Sequence, residues 1–181
     1  MTAEVVKNTQ EPIGTSAFIF NQTAPGPTKP WSWAENLLTS ATTYWLVANS
    51  PDGVPHSRPL WGIWLGNNFW FSSQNRAGEF LKTNPRASVN LQLGEDVVMV
   101  EGRCSRVIGV DDISVLAEGV EAKYHWTLTV SDDHVHTQFG QRAPVFQLTP
   151  ERVYGWEGLA GWESATRWEF PPSGPTGTAV K

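Results

Sequence analysis

From residue 43 to residue 108, apolar and polar positions alternate in short runs broken by turn-forming residues. Alternation with a period of two marks strands that bury one face. Tyr44, Trp45, Leu46 and Val47 lie on a strand predicted over Thr43–Asn49. Ser50-Pro51-Asp52-Gly53 follows it, where proline pre-sets one backbone angle and glycine accepts a positive one. A second strand is predicted over Pro55–Leu65, and Gly66-Asn67-Asn68 turns it into a third over Phe69–Ser73. Strands joined by turns this short pair antiparallel. Ala87–Leu93 and Val97–Ile108 form a further pair around Gly94-Glu95-Asp96. Pro144–Leu148, Val153–Trp156 and Thr166–Phe170 complete the predicted sheet.

Helical spacing interrupts this pattern in three places. Trp33, Leu37, Leu38 and Ala41 recur on one face of a short amphipathic helix. Arg76–Asn84 carries Phe80 and Leu81 and ends at Pro85. Asp111-Asp112 opens a third helix with Ile113, Val115, Leu116 and Val120, its carboxylates near the positive helix end. Many short strands with few helices predict a mostly β fold, a small barrel. Residues 1–30 run into Ala24-Pro25-Gly26-Pro27-Thr28-Lys29-Pro30 and read as an extended N-terminal arm, laid across a partner subunit. Residues 31–170 form the barrel domain, and residues 171–181, beginning Pro171-Pro172-Ser173-Gly174-Pro175, read as a flexible tail.

A chain of 181 residues suits one domain with a substantial core. Its net charge is -5 and its basic residues are dispersed, which argues against a nucleic-acid partner. Cys104 is the only cysteine, so neither an internal disulfide nor a Cys-rich zinc site is expected, and its apolar setting reads as packing. The N-terminus lacks a secretory pattern and no apolar run is long enough to span a bilayer, so a cytoplasmic protein without a membrane partner is expected. The ten tryptophans read chiefly as core and subunit-interface filling. His125, His134 and His136 have only Asp132 and Asp133 nearby, and they read as a solvated loop with no metal. Glycine-rich nucleotide loops and the strained nucleophile elbow are both missing, so no catalytic residue is assigned.

One constellation carries chemistry. Arg58 lies on one predicted strand, Ser72 and Ser73 end the next, and Arg76 opens the following helix. Two guanidinium groups, two hydroxyls and a helix N-terminus supply the charge and fixed donors that a phosphate monoester needs. Surface arginines beside strand-terminal serines would look the same, and spacing alone leaves both readings open.

The run Tyr44-Trp45-Leu46-Val47-Ala48-Asn49, then Pro51-Asp52-Gly53 and Pro55-His56-Ser57-Arg58-Pro59-Leu60-Trp61, resembles the opening hairpin of pyridoxamine 5'-phosphate oxidase-like proteins. Phe69-Trp70-Phe71-Ser72-Ser73, the Arg76 helix, Asn84-Pro85-Arg86-Ala87 and Val98-Met99-Val100-Glu101-Gly102 follow in that family's order. Ala165-Thr166-Arg167-Trp168-Glu169-Phe170 resembles the closing strand of members that use FMN or coenzyme F420. The resemblance implies a split β-barrel of the FMN-binding type, a homodimer with the cofactor at the subunit interface. It further implies that Arg58, Ser72, Ser73 and Arg76 hold the cofactor phosphate and that backbone around Leu60 and Trp61 faces the ring. Arg167 would reach the flavin and Trp168 would shield it from water. A pocket including Trp61, Trp64 and Trp168 would suit a planar apolar substrate.

Departures narrow the expectation. Ala77 stands where many relatives carry lysine, Val97 where the oxidases place glutamine, and Glu163-Ser164-Ala165 where they carry a substrate-binding Arg-Leu-His. Glutamate there would repel a vitamin B6 phosphate, so pyridoxamine phosphate is not the expected substrate. The expected function is an FMN-dependent oxidoreductase, with coenzyme F420 as alternative cofactor, transferring a hydride to or from a small organic molecule. The alternative is a non-catalytic protein that binds a flavin, F420 or haem, with His56 or His125 as the haem ligand.

Overall fold

The computed structural model describes residues 11–17, 24–158 and 161–171. Helix α1 (Trp31–Ser40) precedes the hairpin of β2 (Tyr44–Asn49) and β3 (Pro55–Leu60), with β1 (Ile13–Ser16) ahead of it. Next come β4 (Ile63–Leu65), β5 (Asn68–Ser72), α2 (Arg76–Thr83), β6 (Arg86–Leu93), β7 (Asp96–Arg106) and α3 (Val110–Tyr124). A small sheet of β8 (Leu128–Val130), β9 (Val135–Thr137) and β10 (Arg142–Ala143) follows, then β11 (Val145–Trp156) and β12 (Thr166–Glu169).

The large sheet is antiparallel throughout its paired strands and runs β1-β12-β11-β7-β6-β2-β3, with β5 on the first half of β11 and β4 on β5. It closes towards a barrel because β3 passes into β4 through only Trp61 and Gly62. Directly opposed residues of antiparallel strands share a face, so register fixes what points inward. Arg58, Leu46, Val89, Val100, Val153, Trp168 and Gly14 form one inward row across the sheet. Pro59, Trp45, Asn90, Met99, Tyr154, Arg167 and Thr15 form the neighbouring outward row.

Two cores result. Inside the barrel, Leu46, Phe69, Phe71, Val98, Val100, Leu148 and Val153 pack beneath α1 and α2. Behind β4, β5 and the start of β11, helix α3 buries Ile113, Leu116 and Val120 against Ile63, Trp70, Val135 and Val145. The smaller core exists because the β4–β5 hairpin is apolar on both faces.

The structure departs from the sequence-based expectation in four places. The strand predicted over Pro55–Leu65 is two strands: Gly62 breaks it, lying where a Cβ would come within 2.3 Å of the Phe69 ring. The two predicted strands from Pro144 to Trp156 are one, with an irregularity between Pro150 and Arg152 that lets the strand change partner from β5 to β12. The polar stretch after α3 forms the β8–β10 sheet. Part of the arm is ordered: β1 pairs with β12 of its own chain, and Lys29 N–H donates to the Thr166 hydroxyl at 2.8 Å. The rest of the arm, residues 1–10 and 18–23, and the tail from residue 172 lie outside the described residues.

Candidate functional site

Helix α2 lies over the inner face of β2, with Ala77 and Leu81 in the barrel core. Its first turn can approach β5 closely because residue 78 is glycine: a Cβ there would meet the Ser73 carbonyl oxygen at 2.4 Å. Asn75 caps the helix, its side-chain oxygen accepting from Ala77 N–H at 3.1 Å and from the Ser73 hydroxyl at 3.1 Å. Arg76 extends from this first turn with its guanidinium 5.8 Å from the Phe80 ring centre, and the Phe80 ring meets His56 edge-on at 5.9 Å. His56 and Arg58 sit two residues apart on the same side of β3. The helix start and the inner side of β3 therefore border one region.

Arg58 is the distinctive residue there. Its Nε is fully buried, and the side chain has no hydrogen-bond or ion-pair partner among the described residues. Buried polar groups are almost always paired, and an unsatisfied donor on a cation costs more than a neutral one. Arg76 likewise has no carboxylate partner among the described residues, although its neighbour Lys82 is paired to Glu79 at 2.8 Å. Ser72 is half-buried at the end of β5, opposite Val145. Ser73 is buried, its N–H donating to the Pro144 carbonyl and its hydroxyl to Asn75.

Of the residues singled out in the sequence, Arg58, Ser73 and Leu60 lie on the inner side, and Arg76 is exposed at the start of α2 beside Phe80. Ser73 is already engaged in the helix cap, and it faces inward with Phe69 and Phe71 whereas Ser72 takes the alternate direction. Arg58 does not reach the serines by pairing of β3 with β5, as the sequence suggested, because β3 pairs with β2 and it is β4 that pairs with β5. Trp61 turns away to α3 and is half exposed.

Arg167 and Trp168 are not part of this group. Trp168 is 1% exposed, with the Trp31 ring edge-on to it at 5.7 Å and Trp33 stacked at 6.3 Å. It is a core residue that seals α1 onto β12, and it cannot shield a cofactor without leaving the core. Trp64 is likewise buried, with its ring centre 6.0 Å from that of Trp31. Arg167 lies on the outward face, with Nη2 3.2 Å from Glu169 and a buried Nε that has no partner. Between the β3 and β12 rows lie five strand spacings, about 24 Å along the sheet. One chain thus holds two guanidinium groups with unpaired buried Nε atoms on opposite faces.

Sequence reasoning missed Lys123. Its ammonium donates to the Thr39 carbonyl at 2.8 Å and to the Tyr44 hydroxyl at 2.6 Å, at the C-terminal end of α1. Burial pushes its pKa down to about 8. Burial raises the Tyr44 phenol far above its ordinary range, and that hydroxyl donates to the Leu38 carbonyl at 2.5 Å. Only the folded contact of α3 with α1 reveals this group, since nothing in the spacing links position 123 to position 44. Cys104 is buried, and burial alone pushes its thiol up to about 12. His134 pairs with Asp133 at 2.7 Å and His136 meets the Ser131 hydroxyl at 3.2 Å. No group of three or more potential metal ligands converges among the described residues, and no described helix is long and apolar enough to cross a membrane.

No family model and no curated protein sequence matches this chain. Solved structures do. A FAD-binding protein from Mesorhizobium loti superposes with a TM-score of 0.55 at 16% identity, over 79% of this chain and 96% of that one. A protein of the pyridoxinephosphate oxidase family from Clostridium acetobutylicum, related to general stress protein 26, gives 0.56 at 16% identity, over 77% and 93%. An F420 reductase gives 0.52 at 16% identity, over 66% and 94%. At these identities the likeness is one of fold.

Proposed function

Because the chain has the split β-barrel fold of pyridoxamine 5'-phosphate oxidase-like proteins, we propose that it binds FMN and uses it to exchange a hydride with a small organic substrate. The observation that carries this reading is the unpaired, buried Arg58 Nε beside the start of α2. An anion placed there would satisfy it. Arg58 and Arg76 would neutralise a phosphate, while the helix N-terminus adds its positive end; Ser72, which points to the other face of β5, is not part of this cradle. Ala77 supplies no cation and its N–H is already taken by Asn75, so the cradle is lean. A lean cradle favours one phosphate monoester over the longer polyanionic tail of coenzyme F420.

The bound flavin supplies the hydride chemistry, and this chain's residues supply binding, orientation and water exclusion. Phe80 and His56 close one side of the cradle with apolar ring surface. That division of labour accounts for a site without an evident acid or base. Pyridoxamine phosphate is not the expected substrate, because Glu163 stands where the oxidases carry a phosphate-binding arginine.

The working unit of this reading is a homodimer. Arg167 lies on the face opposite Arg58 and far along the sheet, so a single cofactor could use both only if they came from different subunits. The outward row around it presents Trp45, Asn90, Met99 and Tyr154 across four strands, a surface suited to a second copy.

The test is the absorbance spectrum of the purified protein, followed by titration with FMN and with F420 and by steady-state reduction with NADPH. The reading expects a flavin spectrum or saturable FMN binding, then bleaching of bound flavin by a reductant and recovery with a hydride acceptor. Binding without any turnover would favour a carrier that stores or shields the cofactor. Binding of neither cofactor would end the proposal.

A further inference from the structure

Trp61 sits where the chain breaks step between β3 and β4, and its ring lies flat on Tyr124, with centroids 4.6 Å apart and planes 6° from parallel. Tyr124 is itself clamped. Its hydroxyl donates to the Gly62 carbonyl at 2.9 Å and accepts from Gly62 N–H at 3.2 Å. The stack is thus tied to the backbone beside Trp61 and cannot slide freely. Trp126, just beyond α3, stands at 78° to Trp61 with centroids 6.0 Å apart. Phe139, in the turn between β9 and β10, continues that wall at 5.9 Å from Trp126.

Exposure shows which surfaces remain open. Trp61 is 50% exposed and Phe139 73% exposed. Tyr124 covers one face of Trp61 and Trp126 stands nearly perpendicular to the indole, so the exposed half of Trp61 lies away from Tyr124. The result is a flat floor with an upright aromatic wall, assembled from three separate segments of chain. Single exposed aromatics need no explanation, but a floor held by a two-point hydrogen-bonded clamp is pre-organised, and pre-organisation lowers the cost of binding.

We propose that this corner holds the planar ring of an aromatic substrate, stacked on the open face of Trp61 with its edge towards Trp126 and Phe139. The term substrate rests on the cofactor reading above; the ring subsite does not. Indole faces are electron-rich and their edges electron-poor, so a flat, uncharged or electron-poor conjugated ring complements both floor and wall. A saturated ring of equal size is puckered and loses the stack. Trp61 lies three positions after Arg58, about 10 Å along extended chain, although its ring turns to α3 rather than to the cradle.

Two probes that share one carbon skeleton separate stacking from greasiness: 2-naphthol, which is flat, and decahydro-2-naphthol, which is not. Both are titrated into the full chain while the indole N–H resonances are followed by NMR, with Trp61→Leu and Trp126→Leu used for assignment. The proposal expects 2-naphthol to shift the Trp61 and Trp126 signals saturably and the saturated probe not to do so. The paired substitution Trp126→Leu with Phe139→Leu should weaken 2-naphthol by about tenfold and leave FMN affinity within about twofold, with the far-ultraviolet circular dichroism confirming the fold. Equal binding of both probes would overturn the proposal, as would unchanged naphthol affinity in the paired variant. Dissociation of the protein into monomers in that variant would also overturn it, by showing the corner to be a subunit contact. Failure of FMN to bind with the naphthol response intact would remove the cofactor reading and leave the ring subsite standing.

Discussion

At the scale of single residues, three side chains have environments that make opposite demands. Arg58 is held with an unpaired buried Nε, an arrangement that burdens the fold unless a ligand relieves it. Arg58→Met should therefore leave the thermal midpoint of the cofactor-free protein unchanged or slightly higher, while removing the stabilisation that added FMN gives the native chain. A clear fall in the cofactor-free midpoint would mean that Arg58 is structural. Cys104 lies in the barrel core with its thiol pushed up to about 12. Its reaction with a disulfide reagent should be undetectable in the folded protein and immediate in denaturant. Lys123 is the reverse case: burial lowers its pKa to about 8 from an ordinary 10.5. Between those values the unfolded chain carries the proton more often than the folded one. This group's contribution to stability therefore rises with pH from about 8 towards 10, and Lys123→Met should flatten that part of a pH–stability curve. The Tyr44 phenol, raised by burial, acts oppositely only above its ordinary value of 10, so the window below is free of it.

At the scale of elements, α2 decides whether the cradle exists. The Asn75 cap and the close approach at Gly78 hold its first turn against the end of β5. Asn75→Ala should cost about 1 kcal/mol of stability, and Gly78→Ala should both destabilise the protein and weaken FMN, because a methyl group at 2.4 Å from the Ser73 oxygen must push the helix away. Calorimetric unfolding with and without FMN separates the two effects. The alternating runs and the Pro-Asp-Gly turn made β2, β3, β6 and β7 legible in the sequence, since each has one buried face and a local signal at its end. Helices α1, α2 and α3 were legible from spacing; α2 ends one residue early, α1 begins two residues before Trp33, and α3 runs on to Tyr124, four residues past Val120. What escaped was set by tertiary contact. Gly62 looks like any glycine until Phe69 lies against it. The β8–β10 sheet has strands of only two or three residues, too short to show a period. The four residues of β1 gain their order from the edge of β12. Within the candidate site, the pattern singled out Arg58 and Arg76 without deciding between a phosphate cradle and surface cations, and Trp168 was not readable as core: its apolar ring suits a core and a pocket wall equally, and only Trp31 and Trp33 decide.

At the scale of the whole molecule, the sheet separates the two arginines. Arg58 belongs to the inward row and Arg167 to the outward one, at nearly opposite ends of the strand order. The proposed dimer turns that separation into a composite site. Sedimentation velocity should then show a dimer, and Trp45→Arg, on the outward face, should shift it to monomer while leaving the barrel folded. The central claim, however, is that Arg58 anchors a phosphate. FMN and riboflavin share a ring system and differ by that phosphate, so affinity measured for both, in the native chain and in Arg58→Ala, isolates it. A charge-assisted contact of this kind is worth about 10- to 100-fold. The account predicts that the native chain prefers FMN over riboflavin by about that factor and that Arg58→Ala abolishes the preference while riboflavin binding stays unchanged. Equal affinity of the native chain for the two ligands, or a preference for FMN that survives Arg58→Ala, would contradict it.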